Sequence, residues 1–281
     1  MSGHVTPTPT PSPTLPPIIP YAQITRDMLA AVNRYATPIS ISHGSWGQHW
    51  GTGSYLEDPS GALLLSNEHV LALHPSQALT HKFRNLDTIW QITGPCLRAP
   101  HPLDGALARV APAVWQGHGH HGGAVPPSRI APLHAPVDCE LLFVYGFAAQ
   151  NARFTFGTMV ANGTGYLCQE TPGGAALSGN AFNRLTSSGV FDPALHFAVE
   201  HRPGPAQHVV GSGPLPVPPG MSGSLVWNTR YYETLQAGGT WNAGLAQVTG
   251  LIWGWDSTSG YLVATRIDQV NALVTASIGV I

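Results

Sequence analysis

Lysine is almost missing from this chain. Lys82 stands alone among 281 residues, and Lys, Arg, Asp and Glu together make up 9% of the sequence, well under the quarter usual in globular domains. The formal net charge is −2 and no basic stripe is present, so nucleic-acid and anionic-membrane binding have no electrostatic support. Cysteine is scarce too. Cys96, Cys139 and Cys168 are odd in number and form no C-x-x-C pair, a pattern that leans towards a reducing compartment and leaves room for one disulfide at most. None has a context that favours a thiolate, so all three are expected to be small core residues. No apolar run is long enough to span a bilayer. The first twenty residues also lack the basic and apolar regions of a signal peptide. A soluble, cytoplasmic protein without a membrane span is expected.

What is present points to β-structure. Apolar residues reach 43%, and 32 glycines and 26 prolines favour many short elements joined by tight turns. Residues 1–20 form a Pro/Thr-rich tail, expected to be extended and solvated. In the region 21–38 the spacing of Met28, Leu29, Val32 and Tyr35 predicts a helix over 25–36 with Thr25 as its cap. From 39 onward the pattern is β: "GTGSYLED" (51–58), "PSG" (59–61) and "ALLLSNEHV" (62–70) read as strand, turn and strand, and further strand-like segments recur at 88–92, 105–110, 140–146, 153–160, 164–169, 194–200, 223–227, 247–253 and 261–265. Gly, Pro, Asn and Asp lie between them, as in an antiparallel barrel or sandwich. A helix over 267–276 ends the sequence. Loops are expected at 115–128, at 171–190 and at 229–245, the last placed to wall a substrate cleft.

Three short segments carry chemistry. In "PPGMSGSLVWN" (218–228) Ser222 sits on a Gly-flanked turn ahead of an apolar strand. A serine nucleophile needs such a turn, because nearby backbone N–H groups must converge on a developing oxyanion. The N–H groups of Gly220 and Ser222 are the expected donors. In "LLLSNEHVLA" (63–72) His69 follows a strand that can fix a general base. In "HPLDGALARV" (101–110) Asp104 precedes another strand, where a carboxylate can accept from the second imidazole nitrogen. Each segment alone is commonplace. Together they run in the order His, Asp, Ser, which separates the chymotrypsin type from subtilisins and α/β-hydrolases.

With these residues the sequence resembles the trypsin-like serine peptidase family, particularly its bacterial branch without disulfides. Ser66 to Val70 match the family's His block, Asp104, Ala106 and Leu107 its Asp-x-Ala-Leu, and Pro219 to Gly223 its Pro-Gly-x-Ser-Gly. "GTGS" at 51–54 is similar to the strand ahead of the His, and "VTGLIWGW" at 248–255 to the strand lining the primary specificity pocket. The resemblance implies an all-β fold of two antiparallel six-stranded barrels over 39–281, the first (about 39–130) with His69 and Asp104, the second (about 131–281) with Ser222. It implies a serine endopeptidase with a His69–Asp104–Ser222 triad, an oxyanion hole of Gly220 and Ser222, a substrate-binding group of Pro216, Trp253, Gly254 and Trp255, protein or peptide substrates, and no cofactor.

The departures are informative. Ser224 replaces the family's second glycine. Met221 stands where animal digestive members carry Asp, so the ammonium-to-Asp pair that activates those zymogens is excluded. The site is then either formed constitutively or ordered by a partner. Pro216 occupies the position of trypsin's basic-specificity acid, which disfavours Arg or Lys selection unless Asp256 restores it. "HGHH" at 118–121 lacks a carboxylate or Cys ligand nearby and is expected to be a loop without metal. Competing readings are a catalytically silent pseudoprotease, an effector protease of a bacterial defence or signalling system with one dedicated partner, and a β-sandwich adhesion or carbohydrate-binding domain.

Overall fold

A computed structural model describes residues 19–155, 157–170, 191–202, 209–210, 214–258 and 260–277. The Pro/Thr tail, save its last two residues, and the loop expected at 171–190 lie outside them. Two antiparallel sheets dominate. The first holds β1 (Ala36–Ser42), β2 (Gly47–Asp58), β3 (Gly61–Ser66), β4 (Leu79–His81), β5 (Trp90–Gln91), β6 (Cys96–Ala99) and β7 (Gly105–Arg109), in the order β5-β4-β1-β2-β3-β7-β6. The second draws on β8 (Leu141–Gly146), β11 (Thr164–Gln169), β12 (His196–Glu200), β13 (Val209–Val210), β14 (Leu225–Asn228), β15 (Gln247–Asp256) and β16 (Tyr261–Arg266), ordered β12-β16-β15-β14-β8-β11-β13. A bridge between Glu170 and Val199 joins the ends of this second sheet into a barrel. A separate hairpin, β9 (Ala152–Thr155) with β10 (Thr158–Ala161), replaces the single strand expected at 153–160. Each main sheet has seven strands where six were expected, because the two-residue β5 and β13 pair at the edges. The architecture is the two-barrel chymotrypsin-like one.

Strand sequence explains how the barrels pack. In β3, Leu64 and Ala62 face the interior of the first barrel while Leu63 and Leu65 face the seam between barrels. In β8, Leu142 and Val144 fill the second barrel while Leu141 and Phe143 face the same seam. Side chains alternate with period two, so a strand buried on both faces reads as an unbroken apolar run. β7 and β14 follow suit, with Leu107, Leu225 and Trp227 turned to the seam. Each such leucine removed from water contributes on the order of 2 kcal/mol.

Helices plug the seam's margins. α1 (Tyr21–Val32) starts four residues earlier than expected, directly after Pro20. Thr25 is therefore not its cap: it lies inside the helix, and its hydroxyl donates to the Tyr21 carbonyl at 2.7 Å. Ile24, Met28 and Val32 enter the seam core, as do Ile267, Val270 and Leu273 of the closing helix over Ile267–Ser277. The segment expected as a loop at 115–128 contains the end of a helix over Pro112–His118 and 3-10 turns at Gly119–His121 and Pro127–Arg129. The segment at 229–245 contains a helix, Tyr231–Gln236, at the end of β14 away from Ser222. The buried Glu140 carboxylate accepts the backbone N–H groups of Tyr231, Tyr232 and Glu233 at 2.9–3.1 Å, and that of Leu141 at 2.9 Å. This segment packs with α1, since Tyr231, Trp241 and Ala243 join the same core. The three cysteines are free, and Cys139 is exposed, not the core residue expected; Cys168 is buried and Cys96 half-buried.

Candidate active site

His69 sits on a single helical turn, Glu68–Leu71, entered through Asn67 at the end of β3. The turn is anchored by Val70 and Leu71, both fully buried. The His69 ring leans outward, with its side chain 46% exposed, while the Asp104 side chain is 7% exposed. His69 Nδ1 donates to Asp104 Oδ2 at 2.6 Å, and the His69 backbone N–H donates to Asp104 Oδ1 at 3.0 Å. The carboxylate thus fixes the ring's orientation, and its tautomer, leaving Nε2 with a free lone pair. Asn67 Nδ2 donates to the Asp104 carbonyl at 2.7 Å. Asp104 has φ of +45°, a left-handed conformation that Asp tolerates better than most residues. The second barrel holds its segment too: Thr265 Oγ1 donates to the Leu103 carbonyl at 2.8 Å and His196 Nε2 to that of Pro102 at 2.6 Å.

Ser222 belongs to the second barrel but is strapped to the first. Its carbonyl accepts the Thr52 backbone N–H at 2.8 Å. A Cβ placed on Gly51 would meet both Val70, next to His69, and the Ser222 carbonyl oxygen, at 2.7 and 3.4 Å. Gly51 is therefore the small residue that lets the histidine turn and the serine turn close on one another. Among the described residues Ser222 Oγ has no hydrogen-bond partner, so the hydrogen bonds join His69 to Asp104 but not to Ser222.

The carbonyls of Pro219, Gly220 and Ser222 accept from outside the serine turn, while that of Met221 accepts the Ser224 N–H within it at 3.0 Å. That of Pro219 accepts from Ala149 N–H at 2.8 Å. That of Gly220 accepts from Thr52 Oγ1 at 2.9 Å and His49 Nε2 at 3.2 Å. His49 Nε2 also donates to the Phe147 carbonyl at 2.7 Å, and the Phe147 N–H donates to Thr52 Oγ1 at 3.0 Å. Burial holds the His49 ring below its ordinary pKa, so it is neutral. With these carbonyls tied back, the Gly220 and Ser222 N–H groups donate to no acceptor among the described residues. Two glycines make the turn possible: Gly220 and Gly223 have φ of +93° and +90°, a region closed to most side chains. A Cβ on Gly220 would lie 2.6 Å from His49 Cδ2, and one on Gly223 would overlap the Thr52 carbonyl oxygen. Met221 is fully buried in the second barrel and anchors the turn by packing instead of by an ion pair. Ser224 fits because it faces Gly146, where any Cβ would overlap its Oγ; that hydroxyl is buried without a partner among the described residues.

Of the residues expected to bind substrate, Trp253 to Trp255 follow Ile252, whose carbonyl accepts the N–H of Gly223, next to Ser222, at 2.8 Å. Pro216 is buried, and its carbonyl accepts from His201 Nε2 at 2.9 Å. His201 Nδ1 accepts from Tyr166 at 2.9 Å, and burial pushes this histidine's pKa down to about 4. Trp253, Gly254 and Trp255 lie on β15, where the pairing with β16 slips at Ile252–Gly254. Trp253 meets the rings of His101 and His196, with centroids 5.4 and 5.1 Å away, and Trp255 packs on the second-barrel core. Asp256 Oδ1 accepts from the Thr258 N–H at 3.2 Å. No group of three or more His, Cys, Asp or Glu suited to a metal occurs among the described residues.

Sequence reasoning missed Thr52, His49, Ala149, His196 and His201. Their roles are backbone contacts to distant segments, which leave no local motif.

No protein-family profile matches this sequence, and no curated protein sequence is similar to it. Solved structures do match. The VesB protease of Vibrio cholerae is 13% identical with a TM-score of 0.50, over 89% of this protein and 65% of that one. The MamO protease domain of Magnetospirillum magneticum is 9% identical at a TM-score of 0.46, over 86% and 95% of the two proteins. Rv3671c of M. tuberculosis, in a Ser343Ala inactive form, is 14% identical at 0.44, over 97% and 96%. At such identities the likeness concerns the fold.

Proposed function

We propose that this protein is a serine endopeptidase. Ser222 Oγ attacks a peptide carbonyl while His69 Nε2 takes its proton, and Asp104 stabilises the imidazolium. The Gly220 and Ser222 N–H groups receive the oxyanion. The protonated His69 then delivers its proton to the leaving amine, and a water activated by the same imidazole releases the acyl-enzyme. Pro216, Trp253, Gly254 and Trp255 are assigned to the substrate cleft, and the substrates are proteins or peptides.

The observation that carries this reading is the pairing of a 2.6 Å His69–Asp104 contact with a serine turn whose Gly220 carbonyl is tied back and whose Gly220 and Ser222 N–H groups donate to no acceptor among the described residues. Because that turn is held by Thr52, Ala149, His49 and the buried Met221, the reading favours a site formed without a new N-terminus or an activating partner. No helix among the described residues is long and apolar enough to cross a membrane.

The test is labelling with a fluorophosphonate, which an activated serine attacks at phosphorus with loss of fluoride. Wild-type protein should label, and Ser222→Ala and His69→Ala should not. Folded wild-type protein that stays unlabelled would favour the pseudoprotease reading.

A further inference from the structure

Between the barrels, on the side where β8 ends, lies a crevice of about 570 Å³, within the range of small-molecule sites. Lys82, Arg84 and Asp87 line it from the first barrel, and Tyr145, Phe147 and Asn162 from the second. Two cations face one acid in a protein whose net charge is −2. Lys82 Nζ uses one proton on the Met159 carbonyl at 2.6 Å, and Arg84 Nη1 donates to Asn33 Oδ1 at 3.1 Å; the remaining donors of both are unmatched within the wall. Burial lowers the Lys82 pKa, with Asp87 opposing, as expected of an ammonium short of solvation.

Tyr145 adds a neutral donor. Its ring is set against Gly163, where any Cβ would overlap the hydroxyl, and that hydroxyl has no hydrogen-bond partner among the described residues. Burial pushes its pKa up to about 12, so it stays protonated at neutral pH. The Phe147 ring supplies an apolar wall. An ammonium, a guanidinium and a phenol beside an apolar face match a carboxylate carried on a compact apolar body.

The wall also reaches the serine turn. The Phe147 carbonyl accepts from His49 and its N–H donates to Thr52, the two residues that tie back the Gly220 carbonyl. We propose that this crevice binds an organic carboxylate and that an occupant, by fixing Phe147, raises the reactivity of Ser222. The second half rests on the peptidase reading; the first does not.

Lys82 is the sole lysine, so protein produced with ε-¹³C-lysine carries one lysine side-chain signal, at the crevice, and keeps every donor of its ammonium. Phenylacetate and the free acid of the peptide Ala-Ala-Phe are titrated against Ser222→Ala protein, with phenylacetamide and Ala-Ala-Phe amide as uncharged controls. The Lys82 signal should move with an acid, with affinity about tenfold or more above its amide. Response to phenylacetate identifies a small free acid as the ligand, and response to the peptide acid alone identifies the terminal carboxylate of a polypeptide. Arg84→Ser should weaken binding about tenfold, and Tyr145→Phe by less, both with unchanged melting. A Lys82 signal that ignores both acids, or answers amide and acid alike, overturns the site. With acid bound, wild-type fluorophosphonate labelling should quicken about threefold or more; binding with an unchanged rate overturns the coupling. Absence of labelling under all conditions, with the Lys82 shift intact, counts against the peptidase reading and the coupling but leaves the site standing.

Discussion

Thr52→Val isolates the strap between the barrels. Valine has nearly the shape of threonine, so no cavity opens, and what changes is one hydroxyl. That hydroxyl donates to the Gly220 carbonyl at 2.9 Å and accepts the Phe147 N–H at 3.0 Å, in a residue with no solvent exposure. Without it, the N–H of the buried Phe147 has no acceptor, at a cost of about 1–3 kcal/mol. The Gly220 carbonyl keeps only its 3.2 Å contact with His49, a further loss of about 1 kcal/mol. The sum, about 2–4 kcal/mol, should lower the melting temperature by roughly 5–10 °C in a protein of this size. The Gly220 share, about 1 kcal/mol, should slow fluorophosphonate labelling about fivefold. Thr52→Ser keeps both bonds and should restore most of the labelling rate. Thermal melts and labelling time courses on the three proteins make the comparison. If the valine variant melts and labels like wild type, the strap does not hold the serine turn and the account of a self-formed site fails.

Asp104→Asn should slow labelling and peptide cleavage by about 10³–10⁴-fold with little loss of stability, because the amide no longer fixes the tautomer that exposes the Nε2 lone pair; kinetics beside a melting curve separate the two effects. Glu140→Ala should destabilise the protein by about 3–5 kcal/mol, since it strips acceptors from four backbone N–H groups at once, and urea unfolding measures this. Burial pushes His81 from its ordinary 6.5 to about 4, and His201 likewise to about 4. Below pH 6.5 the unfolded state therefore takes up protons that the folded state refuses. Stability should be full above that pH and fall towards pH 4, by about 3 kcal/mol for His81 alone. A His81→Gln variant should flatten the slope in urea titrations run across this window; an unchanged slope would contradict the assignment.

Much of the fold was legible because its strands are buried on both faces or end at glycines. "GALLL" and "LLFVYG" read as strands without the partner being known. β9 and β10 were harder: the turn between them carries Gly157 at φ +76°, yet the flanking letters run on as one strand. Thr25 misled because a threonine before a helical pattern imitates a cap, whereas Pro20 had already started the helix. At the site, His69, Asp104 and Ser222 sit in recognisable local contexts, and the first two are in direct contact. The supports of the serine turn were invisible. Thr52 and Gly220 are 168 residues apart, and only the docking of the two barrels brings them together.

That docking has a consequence for how the protein divides. Seven hydrogen bonds among the described residues tie the first barrel to the second beside the site: Thr52 to Ser222, Gly220 and Phe147, His49 to Gly220 and Phe147, Thr265 to Leu103 and His196 to Pro102. One fragment would keep His69 and Asp104, the other Ser222 with its turn, and neither would hold a usable half of the chemistry. On the proposed peptidase reading, a cut in the stretch between β7 and β8 should leave two pieces that do not label at Ser222, and their reunion should restore labelling. Fused to two other proteins, such halves would report that those proteins had met.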